Sequence, residues 1–230
     1  MRLVLDHTEV RRESWNLSAD GTFTKGVHLI SGDVGSGKST LALLMSGILL
    51  ASSGTVKKEG IKSQMMSFQF PEYHITGTTV REECESWGLD PSPLLTTIGL
   101  SKKHTEDPLR LSRGELKRLH LACILSRNYD LLILDEPFSS LDVFEKQRIC
   151  MILSGKTDGI TILFTHEQSV FPRTDYIWEI QDGELHLCGS LPACLTRWQH
   201  APPVIKALIE RGKTPENISL KHLEAAACAI

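Results

Sequence analysis

A glycine-rich segment at residues 32–39 carries the residue types that hold a polyphosphate. It reads Gly-Asp-Val-Gly-Ser-Gly-Lys-Ser, which matches G-x-x-x-x-G-K-[ST] in full. Glycines let successive backbone N–H groups turn inward around phosphate oxygens. The side chain of Lys38 can then reach the β- and γ-phosphates, and the Ser39 hydroxyl can bind Mg²⁺. The residues expected to hold the nucleotide are Gly32, Asp33, Val34, Gly35, Ser36, Gly37, Lys38, Ser39 and Thr40.

Two carboxylates follow a second informative segment, the apolar run at residues 131–134. A run of four apolar residues before a polar loop is typical of a buried strand, so Asp135 and Glu136 come at the strand's carboxyl end. There Asp135 can hold Mg²⁺, directly or through its waters, and Glu136 can accept a proton from an attacking water. Two acids after a strand are often only a solvated loop, but together with residues 32–39 they favour a catalytic interpretation.

Short apolar runs predict the elements that position these groups. Residues 27–31, 131–134 and 160–164 each read as a buried strand of a parallel sheet. A helix is expected from Lys38, and the apolar run 41–51 reads as buried helix. Because strands alternate with helices, the pattern predicts an α/β core with its ligands at the carboxyl ends of the strands.

The remaining segments are predicted to be mostly helical. Between residues 69 and 128 prolines punctuate short helical pieces and no strand run appears, which indicates a helical insertion. The pair Asp182-Gly183 predicts a hairpin turn. Beyond it, residues 202–211 and 220–227 are the expected helices, with Gly212 as a C-terminal cap and Ser219 as an N-cap.

Composition excludes several classes of protein. The net charge of −3 lacks the basic footprint of a nucleic-acid-binding domain, so no nucleic-acid partner is expected. None of the six cysteines forms a C-x-x-C pair, which argues against a metal cluster and favours reduced thiols in a cytosolic protein. The N-terminus lacks the apolar run of a signal peptide, and no run reaches the roughly 20 residues that span a bilayer. Any membrane role is therefore expected to be peripheral.

Four further motifs each resemble a motif of one protein family. Residues 111–115, Leu-Ser-Arg-Gly-Glu, resemble the signature L-S-G-G-Q of ABC ATPases. Gln69 resembles the glutamine of that family's Q-loop, residues 139–142 resemble its D-loop, and His166 resembles its switch histidine. With the phosphate loop, residues 32–39, these motifs stand in the family's order and spacing over residues 1–187.

The resemblance implies an architecture and a division of the chain. The fold is expected to be a P-loop NTPase core with a parallel sheet, an antiparallel β subdomain, an inserted α-helical subdomain and a short helical C-terminal extension. The ABC ATPase domain would cover residues 1–187, with the core at 1–68 and 131–187 and the helical subdomain at about 69–130. The C-terminal extension would cover residues 188–230.

The resemblance also implies roles. ABC ATPases hold two ATP molecules between head-to-tail protomers, so the partner is a second ABC ATPase protomer, of the same or a related chain. The residues expected to be catalytic are Glu136, His166 and Gln69. Those expected to bind Mg²⁺ are Ser39, Gln69 and Asp135. The signature residues expected to act on the opposite protomer's nucleotide are Ser112, Arg113, Gly114 and Glu115. The D-loop residues are Ser140, Leu141 and Asp142.

Two features depart from the family's pattern. Arg113 replaces the first glycine of the signature, where it could add charge to the site or point into solvent. The aromatic residue that stacks on adenine is expected near His7, where no Tyr or Phe is close by. Trp15 is expected to lie too near the core strand to replace it, so base stacking is predicted to be weak or supplied by His7.

A finer resemblance concerns the kind of transporter. The chain lacks the long coiled-coil insertion, the second cassette and the zinc modules of non-transport ABC proteins. Residues 68–74 resemble the F-Q-[FY]-P-E-x-Q segment of energy-coupling factor transporter ATPases, which drive uptake of vitamins or of cobalt and nickel. The stretch 203–224 resembles that family's C-terminal extension. The implied partners are a transmembrane coupling subunit and a small substrate-binding membrane protein, with this chain at the cytoplasmic face of the membrane.

Other functions remain open at this stage. The chain could serve another ABC importer or an exporter, or be a soluble regulatory or repair ATPase. A non-hydrolysing cassette is disfavoured because Glu136 and His166 are retained. The transported solute would contact other chains, so this sequence does not specify it.

Overall fold

The computed structural model describes residues 1–12 and 15–228, and this part of the chain contains one mixed sheet of nine strands in the order β4-β1-β2-β9-β8-β3-β7-β6-β5. The strands are β1 Arg2–Arg12, β2 Trp15–Phe23, β3 Gly26–Ser31, β4 Ser53–Glu59, β5 Gln64–Ser67, β6 Leu131–Asp135, β7 Ile160–Phe164, β8 Tyr176–Gln181 and β9 Glu184–Ser190.

The sheet has a parallel part and an antiparallel part. Strand β3 pairs in parallel with β7 and β8, and β6 pairs in parallel with β5 and β7. Every residue of β6 and β7 is buried, as expected for strands covered on both faces. Strand β1 pairs antiparallel with β2 and β4. The predicted α/β core with an additional antiparallel β region is confirmed.

The β8–β9 connection is the predicted hairpin turn. Asp182 and Gly183 both adopt positive φ, at 49° and 78°. Two such residues between antiparallel strands match the twist of the flanking strands, which is why Asp-Gly is favoured there.

Seven helices are described: α1 Lys38–Ser46, α2 Val80–Ser86, α3 Pro91–Thr97, α4 Arg113–Leu125, α5 Val143–Ser154, α6 Pro203–Glu210 and α7 Leu220–Cys228. Helix α1 is shorter than predicted, because Gly47 takes a left-handed conformation and caps it. The predicted buried helix to residue 51 is therefore wrong beyond Ser46, and Leu50 is 83% exposed.

The residues between β5 and β6 form a separate helical body. Helices α2, α3 and α4 lie there, together with single 3-10 turns at Pro71–His74, Ser101–Lys103 and Pro108–Arg110. Buried residues of all three helices form a cluster that includes Val80, Leu95 and Leu119, while Leu121, Ile124 and Leu125 of α4 pack in the main core. This agrees with the helical insertion expected from the sequence.

The C-terminal helices pack on the main core. Ile205 and Leu208 of α6 and Leu223 of α7 are buried in the cluster that contains the parallel strands. The side chain of Asn217 exchanges two hydrogen bonds with the backbone of Thr174, of 2.6 and 3.0 Å. Within residues 1–12 and 15–228, no helix has the length and apolar character needed to cross a membrane.

Candidate nucleotide site

The phosphate loop connects β3 to α1 and depends on its glycines. Gly32 has a φ of 153°, and a Cβ there would lie 2.8 Å from Ser36 Oγ and 2.9 Å from the Ile180 carbonyl oxygen. A side chain at this position would therefore force the loop away from the sheet. The loop ends at Gly37, the N-cap of α1, so the helix N-terminus faces the cavity beside the loop.

Lys38 points back over the loop. Its ammonium donates hydrogen bonds to the carbonyl oxygens of Gly32, at 2.7 Å, and Asp33, at 2.8 Å. Burial lowers the pKa of Lys38, while the nearby carboxylates of Glu136 and Asp135 oppose that shift. The ammonium is thus held inside the loop, where phosphate oxygens could replace the carbonyl acceptors.

Two buried polar atoms at the site are suited to bind the phosphate and the Mg²⁺ that the sequence predicts. Ser36 Oγ and Asp135 Oδ1 are buried without a hydrogen-bond partner. A buried polar group normally finds a partner, so these two atoms are available to a bound ligand. A hydroxyl in the phosphate loop suits a phosphate oxygen, and a carboxylate oxygen suits Mg²⁺. The residues present therefore fit a Mg²⁺-nucleotide.

The two carboxylates at the end of β6 differ in environment. Asp135 is 3% exposed, and burial raises its pKa, although the nearby Ser39 hydroxyl opposes the change. Glu136 has a φ of 47°, and its Oε1 lies 2.7 Å from His166 Nδ1. Its Oε2 accepts a hydrogen bond from Thr165 Oγ1 at 3.3 Å. Residues after β7 therefore hold Glu136 in a fixed orientation.

A single cavity of about 390 Å³ brings most of these residues together. It is lined by Trp15, Val34, Gly35, Gly37, Lys38, Ser39, Thr40, Gln69, Glu136 and His166. The structure thus collects the phosphate loop, the Q-loop glutamine, the acid after β6 and the histidine after β7. Among the residues that the structure describes, its lining includes none of residues 112–115 or 140–142.

The expectation that Trp15 lies too near the core strand to reach the site is wrong. The side chain of His7 is 89% exposed, bonds to Asp20 and does not line the cavity. Trp15 lines it instead, and a Cβ at Gly37 would collide with the indole ring. The reason is strand alternation: Trp15 and Leu17 share one face of β2, and that face covers Gly37. Proximity to the core strand places Trp15 at the site rather than excluding it.

Comparison with known proteins decides the family. Residues 21–139 match the profile described as ABC transporter. The energy-coupling factor transporter ATP-binding protein EcfA1 of Thermotoga maritima is 36% identical over 73% of this chain and 72% of its own length. The protein of the same name from Lacticaseibacillus paracasei is 30% identical over 70% of this chain and 67% of its own. A putative ABC transporter ATP-binding protein of Pyrococcus horikoshii is 30% identical over 74% of this chain and 75% of its own length.

The chain belongs to the ABC transporter ATPase family. It is accordingly an ATP-binding and ATP-hydrolysing protein.

The ABC signature stands at the start of α4, outside the nucleotide cavity. Ser112 is the N-cap of this helix, and its hydroxyl accepts a hydrogen bond from the backbone N–H of Glu115, completing a capping box. Arg113 is exposed in the first turn. A Cβ at Gly114 would lie 2.8 Å from the Ser140 carbonyl oxygen, so the signature packs closely against the D-loop of the same chain.

Two residues of the D-loop fix its position: one is buried in the core and the other caps α5. Leu141 is buried, and Ser140 has a φ of 65°. The Asp142 carboxylate accepts a hydrogen bond from the backbone N–H of Glu145 and so caps α5.

Two residues of the C-terminal segment contact the region of the phosphate loop, and the sequence alone does not predict these contacts. Trp198 Nε1, in the C-terminal segment, donates a 2.8 Å hydrogen bond to the hydroxyl of Ser31, which immediately precedes the phosphate loop. Two residues later, His200 Nε2 lies 3.6 Å from Asp33 Oδ1 and its Nδ1 lies 2.7 Å from Glu179 Oε1. Trp198 and Ser31 are 167 residues apart in sequence, as are His200 and Asp33, and no motif marks either pair.

Proposed function

We propose that this chain is the ATPase subunit of an energy-coupling factor type importer for a vitamin or a transition-metal ion, bound peripherally at the cytoplasmic face of the membrane. ATP is held between two ABC protomers, and its turnover moves separate transmembrane subunits. The observation that carries the proposal is that Lys38, Gln69, Glu136 and His166 meet in one cavity while the signature of the same chain lies outside it. A nucleotide in that cavity needs a second protomer to supply the signature.

The cis half of the site performs the chemistry in this proposal. Lys38 neutralises phosphate charge, and Ser39, Asp135 and Gln69 are the residues that would hold Mg²⁺. The ion would supply charge neutralisation at the phosphate oxygens. Glu136 accepts the proton of the attacking water, and its contact with His166 Nδ1 at 2.7 Å keeps the carboxylate oriented.

The trans half supplies phosphate contacts from the partner protomer. Ser112 and Gly114, at the N-terminus of α4, face the γ-phosphate bound by the opposite chain, where a helix N-terminus favours negative charge. The exposed Arg113 stands in the same turn, so its side chain is free to reach either phosphate or solvent. The D-loop, residues 140–142, supports the signature through the close contact between Gly114 and Ser140.

Trp15 is proposed to stack on adenine. Replacing it with alanine is expected to weaken ATP binding by about 5- to 100-fold, because stacking on a base contributes roughly 1–3 kcal/mol. The change is measured by titrating ATP and, separately, inorganic triphosphate, whose binding should stay unchanged. Trp87, which is partly buried in the helical body, gives a matched control in Trp87→Ala. An equal loss of affinity for ATP and for triphosphate in Trp15→Ala would contradict base stacking.

The segment after Gln69 is proposed to receive the transmembrane coupling subunit. Phe70 and Tyr73 are 53% and 75% exposed, and Glu72 stands between them, also exposed. Exposed aromatic residues around a carboxylate suit a partner helix that brings an apolar face and a basic residue. The likeness of residues 68–74 to energy-coupling factor ATPases, and the names of the relatives, support this placement.

Co-purification from membranes tests the proposed assembly. We expect the chain to retain a transmembrane coupling subunit and a small substrate-binding membrane protein, and Glu72→Lys to lose both through charge repulsion. Glu184→Lys is the control, since Glu184 is exposed on β9, away from this patch. Intact assembly and transport with both Glu72→Ala and Glu72→Lys would refute the docking position.

The same purification separates the remaining alternatives. A transmembrane subunit without a small substrate-binding protein would indicate another ABC importer or an exporter. Absence of any membrane subunit, with ATP hydrolysis stimulated by DNA or RNA, would indicate a soluble regulatory or repair ATPase. The net charge of −3 makes this second outcome the weaker candidate.

A further inference from the structure

Helix α4, which begins at the signature, contains a buried lysine that does not line the nucleotide cavity. Lys117 is 1% exposed, although lysine is almost never fully buried unless it is paired. Its Nζ donates a 3.1 Å hydrogen bond to the backbone carbonyl oxygen of Gln69. Burial lowers the pKa of Lys117 to about 8, and the carboxylates of Asp135, Glu136 and Glu72 oppose that shift. The ammonium therefore stands beside the site's carboxylates while it holds the Q-loop.

A second contact joins the same helix face to the same segment. The ring of His120 stacks on that of His74, with centroids 4.5 Å apart and planes inclined by 30°. His120 Nε2 lies 3.0 Å from Ser67 Oγ, and the backbone N–H of Phe68 donates to His74 Nε2 at 3.2 Å. The segment 67–74 is thus attached to α4 through two side chains that are three residues apart.

Lys117 and His120 stand on the same helix as the signature, whose serine is the N-cap of α4. Residues 117 and 120 lie on one face of the helix, because positions three apart are neighbours on a helical surface. The helix runs unbroken from Arg113 to Leu125, and its N-cap is Ser112. The residue that contacts Gln69 and the signature serine therefore stand on one continuous helix.

We propose that Lys117 is a positioning residue for ATP hydrolysis, which fixes the backbone of Gln69 to the signature helix of the same chain. The segment 67–74 and Ser112 then move as one body. This inference rests on the proposed roles of Gln69 and Ser112.

Replacing Lys117 with methionine tests the attachment, because methionine fills similar space without the ammonium. In the nucleotide-free chain, amide exchange of residues 68–74 is expected to rise about tenfold or more as the segment is released. Hydrolysis is expected to fall by roughly 10- to 100-fold in kcat, with ATP affinity within about twofold of the original. Lys117→Arg, which keeps a cation and donors, is expected to restore both exchange protection and kcat.

Lys156→Met is the matched control. Lys156 Nζ also donates to a backbone carbonyl oxygen, that of Arg127, at 2.7 Å, but its hydrogen bonds are to Arg127 and Asn128 and not to the segment 67–74. Unchanged exchange at residues 68–74 and unchanged kcat in Lys117→Met would overturn the proposal, as would equal effects in Lys156→Met. If Lys117→Met does not fold, Lys117→Gln replaces it under the same criteria. Failure of the original chain to bind ATP would instead refute the proposed function, and the exchange readout would still test the attachment.

Discussion

Replacing Glu136 with glutamine is expected to slow ATP hydrolysis by about 100-fold or more while ATP binding persists. Glutamine keeps the size of the side chain and can still face His166, but it cannot accept the proton of an attacking water. The carboxylate is held by contacts of 2.7 Å to His166 Nδ1 and 3.3 Å to Thr165 Oγ1, so no other acid can easily take its place. Phosphate release under saturating ATP measures the rate.

Glu83 provides the control for this substitution. It is buried like Glu136 and accepts hydrogen bonds from the backbone N–H groups of Thr76 and Gly77, but it lies in the helical body. Glu83→Gln should change stability and leave the turnover of the folded protein close to the original. Rapid hydrolysis by Glu136→Gln would refute the role of Glu136 as the base.

Replacing Lys38 with alanine is expected to weaken ATP binding by about 30- to 5,000-fold, since removal of one partner from a buried charge pair costs about 2–5 kcal/mol. Lys38 Nζ is positioned by the carbonyl oxygens of Gly32 and Asp33, inside the loop that receives the phosphates. Calorimetric titration with ATP gives the affinity directly.

Lys58 is the comparison residue for Lys38. It too bonds a backbone carbonyl oxygen, that of Ser46, but lies on β4 beyond the far end of α1. Lys58→Ala is expected to bind ATP as the original chain does. An ATP affinity that survives Lys38→Ala would show that the phosphates lie elsewhere.

Short runs and motifs in the sequence were enough to predict the parallel core and most of the residues that line the nucleotide cavity. Strands β3, β6 and β7 are short buried runs, and each delivers its polar residues into the next loop. Sequence adjacency therefore fixes where Lys38, Asp135 and His166 lie relative to the sheet. The end of α1 was also readable in principle, because Gly47 is a common type of helix terminator.

The features that the sequence did not predict depend on pairing between distant segments. The choice between His7 and Trp15 depends on how β1 and β2 pair, including an irregularity between Leu5 and Thr8. The hydrogen bond from Trp198 to Ser31 and the contact of Lys117 with Gln69 join residues that share no motif. A buried lysine or tryptophan has the same appearance in a sequence as an exposed one.

If ATP lies between two protomers, the mass of the Glu136→Gln chain in solution should depend on the nucleotide. With Mg²⁺ and ATP, light scattering during gel filtration should give about twice the 25.6 kDa of one chain, and with ADP the mass of a single chain. If the partner is a related chain, the doubling should appear on mixing with the ABC ATPase that co-purifies from membranes. A single-chain mass under saturating ATP, both alone and after mixing, would contradict the account.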